Sequence, residues 1–288
     1  MRFAAIFLLF AFAVPVRAEP LKVVASFSIL ADIVQKVGGA EVNVTSLVGP
    51  EADAHGFEAR PSDAKRLATA DVLVVNGLGF DDWAGRLADA AGFKGKRIVA
   101  SAHIAPIAGD PHAWQSVPNA ISYVDAIAVG LSAADPKRES AFRSNADIYK
   151  TALKSLDLQI HDTIAAIPEA RRRAIVPHEA FDYFARDYGI AFLAPLGTDA
   201  EAHANAGRVA ELIAMARAGK IGGIFAERLS DRRLVERVAE AANMGLAGVL
   251  YSDALSRPDG PAGSYIALMQ NNLRVIAAGL TTEAPRAR

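Results

Sequence analysis

The sequence contains no cysteine, and this absence excludes several classes of site at once. Disulfide bonds, thiolate metal sites and cysteine nucleophiles are ruled out, as is a lipid anchor attached through a cysteine. Net charge is also nearly absent, because 31 basic and 32 acidic residues leave a formal charge of −1. The composition therefore gives no reason to expect nucleic acid or an anionic membrane as a partner.

Long hydrophobic runs are confined to the N-terminus, which has the pattern of a secretory signal. Arg2 precedes an apolar stretch over residues 3–14, and small residues at Val16 and Ala18 favour cleavage before Glu19. The apolar stretch is too short to span a bilayer. We therefore expect residues 1–18 to be a signal peptide and the mature protein to be periplasmic, without a lipid anchor. No later segment is expected to span a membrane.

Short apolar strands alternate with helical segments over most of the remaining chain. Such alternation predicts parallel sheets of the α/β class. The chain has 288 residues, of which 52% are hydrophobic, enough for two lobes with substantial cores. We expect an α/β fold of two lobes with mainly parallel sheets flanked by helices. The N-terminal lobe is predicted over residues 19–134 and the C-terminal lobe over 169–288.

One long helix is predicted between the lobes, over residues 135–168. Asp135 is a favourable N-cap residue, and Pro136 suits a first helical turn. Apolar residues then recur at steps of three or four from Phe142 to Ile167, and Pro168 ends the pattern. At 1.5 Å per residue this helix would be about 45 Å long, which is longer than a small lobe is wide. The pattern therefore predicts a rigid strut that joins the two lobes.

Four candidate metal ligands, His55, His112, His178 and Asp253, each follow a predicted strand. In open α/β sheets ligands bind beyond the carboxyl ends of the strands, so these side chains are expected to meet there. Any one of them alone could be an ordinary loop or helix-cap residue. Three imidazoles and one carboxylate suit tetrahedral Zn²⁺. Mn²⁺ remains the alternative, because a bidentate Asp253 would add oxygen and raise the coordination number.

Several motifs occur together in one order along the chain. They are VNVTSLVGPEADAHGFEARPSD at 42–63, VNGLG at 75–79, DPHAW at 110–114, HEAFDY at 178–183, FAE at 225–227 and LYSDALSRPDGPAGSY at 250–265. With them the chain, from Leu21 to Leu280, resembles the zinc/manganese solute-binding proteins of ABC-type metal importers (cluster A-I, solute-binding protein family 9).

The resemblance implies a function, a site and partners. A protein of this kind captures Zn²⁺, or alternatively Mn²⁺, between its lobes and delivers the ion to a permease in the inner membrane. The resemblance implies His55, His112, His178 and Asp253 as the metal ligands. It also implies that the protein is a monomer. A site with all positions filled by protein groups suits capture of an ion, so we expect no enzymatic activity. A periplasmic metallochaperone is left open as a further partner.

The chain departs from the family pattern at several points. Ala54 and Gly56 stand where the family usually has proline and an acidic residue, and the connection at 104–109 lacks the His-rich segment of many zinc importers. Manganese members often have glutamate where His178 stands, which favours zinc here. His203 is a candidate accessory contact.

Two other functions are compatible with a metal site of these residues. A zinc hydrolase would need an open coordination position, but the motifs HExxH and GxSxG are both absent. An adhesion protein with a structural metal would lose its fold on chelation. Glu227 and Arg228 are a candidate pair for supporting the site or joining the lobes, with a structural salt bridge as the equal alternative.

Overall fold

The computed structural model describes residues 19–198 and 205–281, so the predicted signal peptide lies outside the described residues. The first lobe alternates strands and helices and ends in a helix, α4, that packs beside its sheet. Its elements are β1 (Leu21–Phe27), α1 (Ser28–Gly38), β2 (Val42–Val48), α2 (Pro61–Ala68), β3 (Val72–Val75), α3 (Asp82–Ala90), β4 (Lys96–Val99) and α4 (Val117–Ala134).

The helix α5 (Glu139–Ala165) connects the first lobe to the second, which repeats the alternation. The elements of the second lobe are β5 (Arg173–Ile175), α6 (Asp182–Tyr188), β6 (Ala191–Leu193), α7 (Ala206–Arg217), β7 (Gly223–Glu227), α8 (Arg232–Ala241), β8 (Gly248–Leu250) and α9 (Tyr265–Thr281).

Each lobe contains one four-stranded parallel sheet. The strand orders are β2-β1-β3-β4 in the first lobe and β6-β5-β7-β8 in the second. Every strand pair is parallel, as in the register Val23↔Val72 between β1 and β3 and Ala174↔Gly223 between β5 and β7. All strands of a sheet therefore end at the same edge, which is where the segments carrying the candidate ligands begin. The predicted fold class, two parallel-sheet lobes joined by a long helix, is confirmed.

The connecting helix buries the face that its sequence predicts. Phe142, Ala146, Tyr149, Leu153, Leu156, Ile160 and Ile164 are its buried residues. A short 3₁₀ turn at Pro136–Arg138 precedes the helix, and the Asp135 side chain accepts a hydrogen bond from the Lys137 amide at 3.1 Å. The regular helix spans 27 residues, or about 40 Å. It packs against α1 and α4 of the first lobe and against α6 and α9 of the second, so both cores share it.

The helix α4 is not predicted from the sequence. Its buried residues lie on one face, but apolar residues such as Val129 also stand on the exposed face, so the sequence shows no clear apolar stripe. Gly130 allows the side chain of Ile98 to approach the helix backbone, where a Cβ would clash. By length and composition α4 could cross a membrane, yet more than half of it is buried within the protein. It has the composition of a core helix.

Buried hydrogen bonds join the lobes in addition to α5. The carbonyl oxygen of Ser252 accepts hydrogen bonds from Trp114 Nε1 at 2.8 Å and from Gln115 Nε2 at 2.7 Å. The Tyr265 hydroxyl donates to the Trp114 carbonyl oxygen at 2.7 Å. These contacts connect the segment after His112 in the first lobe with the segment before Asp253 in the second, so the two segments are fixed relative to each other.

Candidate metal centre

The structure brings the four sequence-predicted residues together between the lobes. His55, His112, His178 and Asp253 each offer one nitrogen or oxygen atom, and these atoms all lie within 4.8 Å of one another. His55 follows β2, His112 follows β4, His178 follows β5 and Asp253 follows β8. Two ligands of the set therefore come from each lobe, at the carboxyl ends of parallel strands.

The distances within the cluster are those expected between donors around one small cation. Tetrahedral Zn²⁺ with bonds of about 2.0–2.1 Å places neighbouring donors about 3.3 Å apart. His55 Nε2 lies 3.2 Å from His112 Nε2. Asp253 Oδ1 lies 3.4 Å from His112 Nε2, and Oδ2 lies 3.3 Å from His178 Nε2 and 3.8 Å from His55 Nε2. Both carboxylate oxygens therefore face imidazole nitrogens across one small volume.

A carboxylate orients His112 from behind. Asp110 Oδ1 lies 2.7 Å from His112 Nδ1 and also accepts a hydrogen bond from the His112 amide at 2.8 Å. Both side chains are buried. A carboxylate at this distance favours a proton on Nδ1, which leaves the lone pair of Nε2 for the centre of the cluster. The short segment Asp110-Pro111-His112 thus supplies both the ligand and its support.

Glu227 lies behind His178 as a buried carboxylate, although this contact is an ion pair without hydrogen-bond geometry. Its Oε2 atom lies 2.8 Å from His178 Nδ1, and both side chains are fully buried. Burial alone would lower the pKa of His178, but the carboxylates of Glu227 and Asp253 outweigh it and raise the pKa well above 6.5. Without a cation this imidazole is therefore more easily protonated than a free histidine. A bound metal ion would take the place of that proton.

His55 is the least enclosed of the four residues. Its side chain is 11% exposed, whereas those of His112 and His178 are fully buried. Burial lowers the pKa of His55, and the negative charge of Asp253 opposes this effect. Burial is the larger effect, so the pKa stays below 6.5. Among the described residues, no carboxylate lies within ion-pair distance of His55 Nδ1. Its position instead depends on its segment, in which Trp83 Nε1 donates to the Ala54 carbonyl oxygen at 3.1 Å.

Asp253 is a buried carboxylate whose charge is balanced by imidazoles. Burial raises its pKa, but His178, His112 and His55 outweigh burial and hold the pKa well below its usual value. Its Oδ1 atom and the Nε2 atom of His178 are buried and have no hydrogen-bond partner among the described residues. Buried polar atoms without partners are costly. The donor set therefore fits a divalent cation of the Zn²⁺ or Mn²⁺ type.

A buried polar network beneath His112 is not predicted from the sequence. Tyr123 of α4 donates to Asn76 Oδ1 at 2.5 Å, and Asn76 Nδ2 donates to the Pro111 carbonyl oxygen at 2.9 Å. Asp81 accepts hydrogen bonds from the amides of Asn76 and Gly77. Tyr123 and Pro111 are far from Asn76 in sequence, so only the motif VNGLG, which contains Asn76, signals the network. The network fixes the backbone next to His112.

The two other histidines among the described residues, His103 and His161, do not contribute ligands to this cluster. His103 and His161 are exposed, and His161 lies against the ring of Tyr188 with centroids 4.9 Å apart. His203, the predicted accessory contact, lies outside the described residues. Trp114 is fully buried, and Trp83 is partly buried against the 49–60 segment.

The fold and the cluster together define a class of protein: a two-lobed α/β binding protein with a buried metal-type donor set between its lobes. The chain belongs to the family of ZnuA, the periplasmic component A of a zinc-uptake complex, whose family model matches residues 23–279. The resemblance drawn from the sequence motifs is thereby confirmed.

Relatives of this chain carry names with different metals. The manganese-binding lipoprotein MntA of Bacillus subtilis is 33% identical over 279 residues, covering 91% of this chain and 90% of the relative. The iron-binding protein YfeA of Yersinia pestis is 30% identical, covering 91% of this chain and 87% of the relative. The solved structure of the periplasmic zinc-binding protein TroA of Treponema pallidum superimposes with a TM-score of 0.85 at 26% identity, covering 92% of this chain and 100% of the other.

One expectation from the sequence is overturned by these relatives. The prediction that the protein is not lipid-anchored was wrong, because similar curated proteins, including MntA, are named as lipoproteins. The absence of cysteine concerns only one way in which a lipid can be attached to a protein chain. It is too narrow a basis for predicting how a member of this family is held at a membrane.

Proposed function

We propose that this protein is the substrate-binding component of an ABC-type metal importer, in which His55, His112, His178 and Asp253 capture a divalent transition-metal ion and deliver it to a membrane permease. The observation that carries the proposal is the convergence of these four donors, within 4.8 Å of one another, between two parallel-sheet lobes. Membership of the ZnuA family supports the same role. The ion is cargo, so the site must bind it firmly and also release it.

Zinc is the proposed ion, with manganese as the alternative. Three imidazoles and one carboxylate are donors that suit zinc, and the spacings near 3.3 Å fit a tetrahedral ion. Manganese favours more oxygen and a higher coordination number. Asp253 could supply the extra oxygen, because its two oxygens face different histidines. The metal names of the relatives differ, so the donor set and not the relatives supports zinc.

Each residue of the site has a separate task in capture. Asp110 accepts the Nδ1 proton of His112, and the charge of Glu227 beside His178 Nδ1 favours a proton there, so that both Nε2 lone pairs face the ion. Asp253 supplies the negative charge that compensates part of the charge of the cation. Because its neighbouring carboxylates raise the pKa of His178, a proton competes with the metal ion for this imidazole, and affinity should fall as the pH falls.

A site in which protein groups fill all four coordination positions of the ion suits binding of that ion rather than catalysis. A catalytic zinc usually keeps one position for water, whereas here a carboxylate faces all three imidazoles. We therefore propose a binding protein and not an enzyme. Residues 1–18 are proposed as its signal peptide, residues 19–134 and 169–288 as its lobes and 135–168 as the linking segment. The protein is proposed to act as a monomer, with a periplasmic metallochaperone as a candidate partner.

Competitive titration of the metal-free protein tests this proposal. We expect one tight zinc equivalent per chain and a large loss of affinity in His112→Ala, since one of four donors is removed. His103→Ala is the matched control, because His103 is exposed and lies outside the cluster. Unchanged zinc affinity in His112→Ala would refute the ligand assignment. Appreciable manganese affinity would favour the alternative cargo.

A further inference from the structure

The lobes are held together beside the metal centre by contacts that do not involve a metal. The Ser252 carbonyl oxygen accepts from Trp114 and Gln115, and these hydrogen bonds are buried. The Leu255 amide donates to Ser28 Oγ at 3.1 Å, again across the lobe boundary. Separating the lobes to release an ion would break all of these buried hydrogen bonds together. We therefore do not expect the lobes to separate at their boundary near His112 and Asp253.

The segment that carries His55 is attached differently. Residues 49–60 connect β2 to α2 and contain no helix or strand. On its own lobe, the segment contacts Trp83 through the Ala54 carbonyl oxygen and the ring of Phe57. Ala54 is also buried in the core, and the ring of His55 lies 4.8 Å from that of Phe80. His55 is also the most exposed of the four candidate ligands. Movement of this segment would open the centre while the lobes stay together.

Glu51 is where this segment meets the other lobe. Its amide donates to the Leu255 carbonyl oxygen at 2.9 Å. Its Oε1 atom accepts from Arg228 Nη2 at 3.0 Å, and its Oε2 atom accepts from Arg257 Nε at 3.2 Å. Both arginines belong to the second lobe, where Arg228 follows Glu227 directly. The carboxylate of Glu51, a residue of the first lobe, thus bridges two arginine side chains of the second lobe.

The backbone of Glu51 is strained in this arrangement. Its φ is +55°, a left-handed conformation that residues other than glycine rarely adopt. Such a conformation persists where surrounding contacts enforce it. Here the enforcing contacts are the hydrogen bond to Leu255 and the two ion pairs. Loss of the ion pairs removes two of these three contacts and so weakens the hold of the second lobe on the segment.

We propose that Glu51 is a positioning residue for metal retention: its ion pairs with Arg228 and Arg257 latch the 49–60 segment, and with it His55, over the metal centre. Opening of this latch, rather than separation of the lobes, is the route by which the ion leaves. The inference rests on the proposed function for the role of His55 as a ligand. The latch itself rests on contacts that are independent of any metal.

The first test measures zinc dissociation into excess chelator. Glu51→Gln keeps the size of the side chain but removes its charge, and we expect dissociation to become about two- to tenfold faster, the range for two exposed ion pairs. Wild-type dissociation should also accelerate in high salt, whereas that of Glu51→Gln should not, because the ion pairs are already lost. The matched control is Asp89→Asn, which removes an exposed ion pair with Arg97 within the first lobe. Equal dissociation rates in wild type and Glu51→Gln would overturn the proposal.

The second test is hydrogen exchange on the metal-free protein. Glu51→Gln and Arg257→Gln should each speed amide exchange within residues 49–60 and leave the segments around Trp114 and Ser252 unchanged. Exchange that is unchanged in 49–60, or that rises equally in both lobes, would overturn the latch. If the wild type bound no metal, the proposed function would fail, yet this measurement would still decide whether the latch exists.

Discussion

The substitution Glu227→Gln tests how the protein prepares His178 for a metal ion. Glutamine has the same shape as glutamate and can stay beside His178 Nδ1, but it carries no charge. Loss of a carboxylate behind a metal-bound imidazole typically reduces affinity by about 10- to 100-fold, or about 1.4–2.7 kcal/mol. Full burial of both Glu227 and His178 favours the upper part of this range, since solvent does not screen the contact.

The loss should depend on pH, because protons and the metal compete for His178. Glu227 and Asp253 together raise the pKa of His178 against the opposing effect of burial. Removing the charge of Glu227 lowers that pKa and so weakens the competing proton. The loss of zinc affinity should therefore be largest in alkaline solution, where proton competition has ended, and smaller near pH 6.

The same charge also affects the stability of the metal-free protein. A histidine whose pKa is raised on folding contributes stability that is full below its unfolded pKa of about 6.5. That contribution is lost as the pH rises through the higher folded value. Metal-free wild type should thus lose stability above about pH 6.5, and Glu227→Gln should show a weaker dependence in that window.

Isothermal competition titrations at several pH values, with urea unfolding of the metal-free form, measure both effects. Glu236→Gln is the matched control, because Glu236 is a glutamate of the same lobe in an exposed pair with Arg232. It should change neither quantity. A loss of affinity in Glu227→Gln that is equal at every pH, or no loss at all, would refute the reasoning.

Three further outcomes are expected. Tyr123→Phe should cost about 1–3 kcal/mol in urea unfolding, since it leaves the buried Asn76 acceptor unpaired, while Tyr149→Phe should cost little because its hydroxyl has no partner among the described residues. Gly95→Ala should destabilise because a Cβ would clash with a backbone carbonyl, whereas Gly85→Ala, in open space within α3, should stabilise by about 0.5–1 kcal/mol in the same assay. Zinc at about 100 times its dissociation constant should raise the free energy of unfolding by about 2.7 kcal/mol, and chelation should leave a folded protein.

Local patterns in the sequence predict the parts of the structure that depend on neighbours along the chain. The face of α5 is predicted because one side of this helix packs and the other is solvated. The helix α4 is missed because apolar residues such as Val129 also occupy its exposed face, which obscures the periodic stripe that signals a helix. The ligands are predicted since parallel strands bring their carboxyl ends together, so four separate loops share one location.

Local sequence patterns do not predict contacts between residues that are distant along the chain. Nothing near Glu51 in the sequence indicates Arg228 or Arg257, because those pairs exist only once the two lobes are joined. The hydrogen bonds from Trp114 and Gln115 to Ser252 have the same origin. These contacts decide how far the centre can open, so the sequence predicts the donors of the site more readily than their dynamics.

The choice between zinc and manganese depends on more than the affinity of the site. In nitrogen-rich sites zinc binds more tightly than manganese whatever the cargo in the cell, as the general order of divalent metal affinities requires. Tight zinc binding therefore supports the metal site without identifying the ion carried. A site that serves manganese must add coordination, and here both oxygens of Asp253 face the cluster. Asp253→Asn retains one carbonyl oxygen, so it should weaken manganese binding by a larger factor than zinc binding if both oxygens coordinate manganese. Equal factors for the two ions would assign a single-oxygen, tetrahedral site, which is the geometry of zinc.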